Sequence, residues 1–202
     1  LAASTTYMYN VSAYDNAGNS SAQSSAASAT TPSQGSPLPL HTAVWTATGV
    51  LSPGPIFSGS QLGHSVASAG DVNGDGYADV LVGASLYDAG QTNEGAVFLF
   101  LGSASGISDG DPTTAAAQLE SNQASASLGS SVAFAGDVNG DGYADAIVGA
   151  SAFDAGEADE GAGFLFLGSG SGLTDGGPNT AAAQLESNQG SANFGIAAAS
   201  AG

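Results

Sequence analysis

Gly70-Asp71-Val72-Asn73-Gly74-Asp75-Gly76-Tyr77-Ala78-Asp79 decides how this chain is read, and the same ten letters return at Gly136–Asp145. Oxygen-bearing side chains stand at alternate positions, Asp71, Asn73 and Asp75, with a fourth at Asp79. Tyr77 fills the gap in the series, where a peptide carbonyl can serve. Gly74 and Gly76 let the backbone fold tightly. Hard cations such as calcium take about six to eight oxygens, and a loop of alternating carboxylates supplies them. The candidate metal residues are therefore Asp71, Asn73, Asp75, Tyr77 and Asp79 in the first copy. In the second they are Asp137, Asn139, Asp141, Tyr143 and Asp145, giving two Ca2+ sites in all. Three carboxylates in one small loop repel each other without a cation, so binding is expected to couple to local folding. It should pin the strand before the loop to the strand after it.

Three alternatives bear on that reading. An EF-hand needs glutamate at the twelfth position, where this chain has Val82 and Val148. Asp79 opens a strand-like run, Val80-Leu81-Val82, rather than the helix that an EF-hand or dockerin requires. Magnesium fits less well, because it prefers rigid octahedral sites and keeps its waters. An acidic turn without metal is the plain alternative, and two identical copies with full ligand sets weigh against it.

From Gln61 onward the chain repeats. Leu62-Gly63, Leu128-Gly129 and Phe194-Gly195 are spaced 66 apart, as are the two acidic loops. Gln118–Gln123 returns as Gln184–Gln189. A fixed period means one supersecondary unit stacked repeatedly, with units starting near 61, 127 and 193. Each shows four strand-like pieces, in the first unit roughly Leu62–Ala69, Asp79–Ala84, Ala96–Leu101 and Ala115–Leu119. Val97-Phe98-Leu99-Phe100-Leu101 is apolar at every position, the pattern of a strand buried on both faces. A propeller blade, sandwiched between neighbours, gives that burial; a solenoid of stacked sheets is the alternative. The expected fold class is all-β: a partial β-propeller of four-stranded blades, about two and a fraction present, after a fragment of a β-sandwich.

Composition bounds the function. The chain has 202 residues, no Lys or Arg, 18 acidic residues and no cysteine. Without cationic side chains it cannot neutralise phosphates, which excludes nucleic-acid binding by counterion release and disfavours an anionic membrane surface. Disulfides and thiolate zinc sites are excluded. No apolar run of about 18 residues suggests membrane insertion. Leu1 opens the chain and Gly202 falls partway through a repeat, so the chain reads as a piece of a longer polypeptide.

Residues 1–31 differ in pattern. Thr6–Tyr14 alternates, with Tyr7, Tyr9, Val11 and Ala13 on one face, as in a half-buried strand. Asp15–Asn19 reads as a turn, and Ser24–Thr31 as a second, weaker strand. Leu1, Thr5 and Tyr7, followed by Tyr9, Val11, Ala13 and Asp15, resemble the last two strands of a fibronectin type III domain and its tyrosine corner. Residues 32–43 form a Pro/Ser linker, and 44–202 hold the repeats.

Leu62-Gly63, the aspartate loop and Gly83-Ala84-Ser85 together resemble the FG-GAP repeat, the blade unit of integrin α-chain propellers and of many bacterial secreted proteins. Leu128-Gly129 with Gly149-Ala150-Ser151 repeats the match, and Phe194-Gly195 is the family's own dipeptide. Leu replaces Phe in two units and Ser replaces Pro after Gly-Ala, departures that leave the acidic loop untouched. The resemblance implies a propeller of roughly seven blades. It also implies a calcium-binding, non-catalytic adhesion or recognition module in a secreted or surface protein of bacterial type. The implied partner is an extracellular protein or glycan. An accessory, carbohydrate-binding region of a secreted hydrolase is the alternative. A fragment of so few blades is expected to expose apolar faces.

No catalytic constellation is visible. His64 maps to Ser130 in the second unit and reads as a surface residue; His41 is the other histidine. No Gly-x-Ser-x-Gly elbow stands out, and Gly168–Gly172 reads as a tight turn because no Lys follows it. Trp45 reads as a blade-edge core residue.

Overall fold

The computed structural model describes strands Thr6–Tyr9 and Ala27–Thr30 and residues 59–200. The chain divides into two compact units, Leu1–Ala43 and Val44–Gly202. In the first, β1 (Thr6–Tyr9) pairs antiparallel with β2 (Ala27–Thr30), with Tyr7 opposite Ala29. The expected linker, Trp45, His41 and the remaining fibronectin-like positions lie outside the described residues. A two-stranded ribbon is common to many β folds and does not by itself identify a fibronectin type III domain.

The second unit holds two four-stranded antiparallel sheets. The first runs β3 (Leu62–Gly70), β4 (Asp79–Ala84), β5 (Ala96–Phe100) and β6 (Ala117–Glu120). The second runs β7 (Leu128–Gly136), β8 (Asp145–Ala150), β9 (Ala162–Phe166) and β10 (Ala183–Glu186). Strands neighbour each other in chain order, so each sheet is a simple meander. This is the all-β architecture of propeller blades; two blades do not close a ring.

Side chains alternate across a strand, and that alternation sorts each blade into two faces. Leu81, Val97, Leu99 and Leu119 of the first blade share one core with Val132, Val148, Phe164 and Phe166 of the second. The opposite face of the first blade carries Val82, Ala84, Ala96, Phe98 and Phe100. Phe98 and Phe164 occupy the same place in successive units, so one face of each blade packs on the other face of the next. Such head-to-tail contact propagates a repeat. That contact buries Val97 and Leu99; with the opposite face also packed, β5 is buried at all five positions, as its unbroken apolar run implies. Tyr87 meets Phe98 edge-on at 5.1 Å, and Phe153 meets Phe164 at 5.2 Å.

The blades approach backbone to backbone at one seam. A Cβ on Gly83 would lie 2.3 Å from the Gly129 carbonyl oxygen, and Ser65 Oγ donates to that same oxygen at 2.8 Å. Only glycine fits there. The outer edge of β6 is covered by the second blade: Gly176 N–H donates to the Gln118 carbonyl and Glu120 N–H to the Gly176 carbonyl. Asp175 Oδ1 accepts the Gln118 N–H at 2.8 Å. Covering an edge in this way removes a pairing surface that invites aggregation.

Candidate metal loops

Each acidic loop is the β3–β4 or β7–β8 connection. Its conformation follows from short polar side chains that capture the backbone two to five residues on. Asp71 Oδ1 accepts the Asp75 N–H at 3.0 Å and Asp71 Oδ2 the Gly76 N–H at 2.8 Å. Asp75 Oδ1 accepts the Tyr77 N–H at 2.9 Å, and Asn73 Nδ2 donates to Asp75 Oδ2 at 3.0 Å. The second loop repeats the set. Asp137 accepts the Asp141 and Gly142 N–H groups, Asp141 accepts that of Tyr143, and Asn139 donates to Asp141. Gly74 and Gly140 sit at φ of +73° and +75°, where a side chain would be strained.

Asp79 and Asp145 differ from the other loop acids. Both are fully buried. Asp79 Oδ2 accepts the Val72 N–H at 2.9 Å and Oδ1 the Gly102 N–H at 2.8 Å. Asp145 does the same with Val138 and Gly168, at 2.8 and 2.9 Å. One carboxylate thus ties the entry of the loop to the exit of the third strand. Burial pushes the Asp79 carboxyl above its ordinary value. The N–H groups of Gly102 and Val72 oppose that rise, and the negative charges of Asp75 and Asp71 add to it. A positive charge placed among these three carboxylates would relieve that cost.

The candidate ligands of each loop thus share one turn, with Asp75, Tyr77 and Asp141 exposed and Asp71 and Asn73 half-buried. Among the described residues, however, no three His, Cys, Asp or Glu side chains converge closely enough to hold a metal ion. The reason is visible in the hydrogen bonds, since the carboxylates of Asp71 and Asp75 are turned onto backbone N–H groups. The donor set fits calcium in its chemistry: all its atoms are hard oxygens, and a carboxylate oxygen with one N–H partner keeps a lone pair.

The expectation that the loop clamps one hairpin is too narrow. The Ala144 N–H donates to the Asp71 carbonyl at 2.9 Å and the Ser169 N–H to the Val72 carbonyl at 3.0 Å. A Cβ on Gly74 would lie 2.8 Å from the Tyr143 ring. Val72 is fully buried, whereas its twin Val138 is 52% exposed. The first loop is therefore also part of the joint between the blades. Elsewhere, His64 is exposed as expected, and Gly172 N–H donates to the Ser169 carbonyl, closing the turn at Gly168–Gly172.

Sequence reading missed two buried glutamates. Glu94 Oε1 accepts the Ala89 and Gln91 N–H groups, and Oε2 accepts the Asn122 N–H at 3.0 Å. Glu160 Oε1 accepts the Ala155 and Glu157 N–H groups, while its buried Oε2 has no partner. The available signal was the repeated Asp-Ala-Gly followed by Glu-Gly, at Asp88–Gly95 and Asp154–Gly161.

Two stacked four-stranded blades with an acidic loop in the first hairpin of each define a repeat-built β scaffold. Residues 62–100 and 128–166 match the family model of the FG-GAP repeat, each span running from the first strand of a blade to the end of its third. The chain is 40% identical over 90 residues to integrin alpha pat-2 of Caenorhabditis briggsae, covering 45% of this chain and 7% of that protein. It is 36% identical over 94 residues to integrin alpha-5 of Xenopus laevis, covering 46% and 9%. With integrin alpha-IIb of Mus musculus it shares 40% over 120 residues, covering 57% and 11%. Together these matches support an integrin-like FG-GAP domain. The chain spans 7 to 11% of the length of these three relatives. Among the described residues, no helix is long and apolar enough to cross a membrane.

Proposed function

We propose that this chain is a calcium-binding, non-catalytic adhesion or recognition module of a secreted or cell-surface protein, with an extracellular protein or glycan as its partner. The observation that carries the reading is the FG-GAP match over both blades, each with the same acidic loop between its first two strands. Asp71, Asn73, Asp75, Asp79 and the Tyr77 carbonyl would hold one ion; Asp137, Asn139, Asp141, Asp145 and the Tyr143 carbonyl would hold the other. A bound calcium ion supplies positive charge to three mutually repelling carboxylates. To hold it, Asp71 and Asp75 would turn carboxylate oxygens away from the backbone N–H groups they now accept, while Asp79 would keep its Val72 and Gly102 partners. The relatives are integrin alpha chains by name, which does not favour the accessory region of a hydrolase. The proposed organisation is a fibronectin type III-like end at 1–31, a linker at 32–43 and FG-GAP repeats over 44–202.

Binding of the chain to arrayed matrix proteins and glycans tests this, in calcium and in chelator. Saturable binding to one ligand, weakened in chelator and in the Asp75→Ala, Asp141→Ala double variant, supports the reading. Binding that is indifferent to both, or absent across the arrays, contradicts it.

A further inference from the structure

The geometry points to Asn73 and Asn139 as sites of spontaneous deamidation, at which the folded loop itself holds the side-chain amide for attack by the next backbone nitrogen. The inference does not rest on the calcium reading. Asn73-Gly74 and Asn139-Gly140 are the two places in the sequence where asparagine precedes glycine. Glycine puts no Cβ beside the attacking nitrogen. Gly74 and Gly140 are both exposed to the water that completes the reaction.

The hydrogen bonds of the loop arrange the reacting atoms. The Asp75 N–H donates to Asn73 Oδ1 at 3.1 Å, and shares its proton with Asp71 Oδ1 at 3.0 Å. The ring closed by the first of these bonds contains both Asn73 Cγ and the Gly74 nitrogen, so the two do not swing apart as they do in an open chain. Reaction between groups held together avoids much of the entropic cost. The same N–H faces the oxygen that gathers negative charge when Cγ is attacked, which is where a fixed donor helps most. Asn73 Nδ2 donates to Asp75 Oδ2 at 3.0 Å, which fixes the plane of the amide. The second loop repeats the arrangement. The Asp141 N–H donates to Asn139 Oδ1 at 3.1 Å and Asn139 Nδ2 to Asp141 Oδ2 at 2.8 Å. There the Gly140 N–H also donates to Asp137 Oδ1 at 2.8 Å, so the proton that this nitrogen must lose points at a carboxylate.

In the reaction the Gly74 nitrogen bonds to Asn73 Cγ, the Cγ–Nδ2 bond breaks and Nδ2 leaves as ammonia. The Gly74 amide proton passes through solvent to the departing nitrogen. Water then opens the cyclic succinimide. Opening at Cγ leaves aspartate; opening at the Asn73 main-chain carbonyl leaves an isoaspartyl linkage, in which the chain runs through Cβ and Cγ. Only water is consumed. Either product adds one negative charge per loop to a chain already at −18. The isoaspartyl product also lengthens the main chain between Asp71 and its partners at Asp75 and Gly76, and so disturbs the turn.

The whole 202-residue chain is incubated in chelator at neutral pH, folded and in urea, and its peptides are mapped by mass spectrometry with isoaspartate assigned residue by residue. In the folded chain, deamidation should be confined to Asn73 and Asn139, with isoaspartate in the product. Its rate should be about tenfold that in urea, a modest share of what fixed orientation can give. Asp75→Ala and Asp141→Ala should each slow their own loop severalfold in the folded chain and leave the urea rate alone. Asp75→Glu and Asp141→Glu, which keep a carboxylate acceptor, should restore part of the loss. Circular dichroism checks that each variant is folded. A folded rate at or below the urea rate would overturn the proposal. So would a folded rate that Asp75→Ala and Asp141→Ala leave unchanged, or a product free of isoaspartate.

Discussion

Leu119 and Leu185 stand 66 residues apart at the same register of the fourth strand, yet Leu119 is 1% exposed and Leu185 is 55% exposed. The second blade covers the first, and Leu185 looks out from the far face of the second beside exposed Phe194 and Ile196. Truncating a buried leucine loses transfer free energy and leaves a cavity. Leu119→Ala should therefore cost about 2–5 kcal/mol. Leu185→Ala should fall within about 0.5 kcal/mol of wild type, as surface changes do. Urea unfolding of both variants checks this; equal losses would mean that the inter-blade core is not where stability resides.

A second contrast separates the acids within one loop. Asp79→Ala strands the Val72 and Gly102 N–H groups in a buried place, at about 1–3 kcal/mol for an unsatisfied partner. Asp75 is exposed, and its N–H partner at Tyr77 can turn to water. In chelator, Asp75→Ala should cost less than half of what Asp79→Ala costs. Denaturation midpoints give the comparison. The reverse order would deny Asp79 its role as the tie between the loop and the third strand.

Gly74 and Gly140 form a matched pair for the joint between blades. Alanine at either position meets a left-handed backbone, costing about 1–2 kcal/mol. Only at Gly74 does the new methyl also run into the Tyr143 ring, adding about 1–3 kcal/mol of overpacking. Gly74→Ala should thus be the more damaging, and Tyr143→Ala should rescue it in part. Thermal melts of the two single variants and the double variant measure the coupling.

One cap contributes a part of the acid sensitivity that can be isolated by mutation. The Thr113 hydroxyl and N–H both donate to Asp111 Oδ1, at 2.6 and 2.8 Å, and hold its carboxyl below its ordinary value. A lowered folded pKa means that the contribution is present above the unfolded value, about 3.9. It is lost as pH falls through the folded value. Asp111→Asn keeps an acceptor but cannot titrate, so its stability should fall less steeply as pH drops below about 4. Above pH 6 the two slopes should coincide. Unfolding curves across that range decide it, and parallel acid limbs would contradict it.

The blade was legible because its signals are local. Asp79–Ala84 matches β4 to the residue, and the unbroken Val97–Leu101 run announced a strand buried on both faces, realised as β5 (Ala96–Phe100). The acidic loop was legible because its turn chemistry lies within ten letters. What the letters could not display was contact at long separation. Asn122 reaches Glu94 from 28 residues away, and Ala144 reaches Asp71 across the blade joint. The roles of Glu94 and Glu160 depend on such partners, although their recurrence at the common period was in view. The tie made by Asp79 was hidden for the same reason, since Gly102 lies 23 residues on.

The central claim is that the repeated loops take calcium, and one calorimetric titration tests it most directly. The wild-type chain and the Asp75→Ala, Asp141→Ala double variant are titrated with calcium after chelator has been removed. Two bound ions in the wild type and none in the variant are the predicted result, with a calcium-dependent rise in melting temperature confined to the wild type. Equal heats in the two chains, or none in either, would contradict the account.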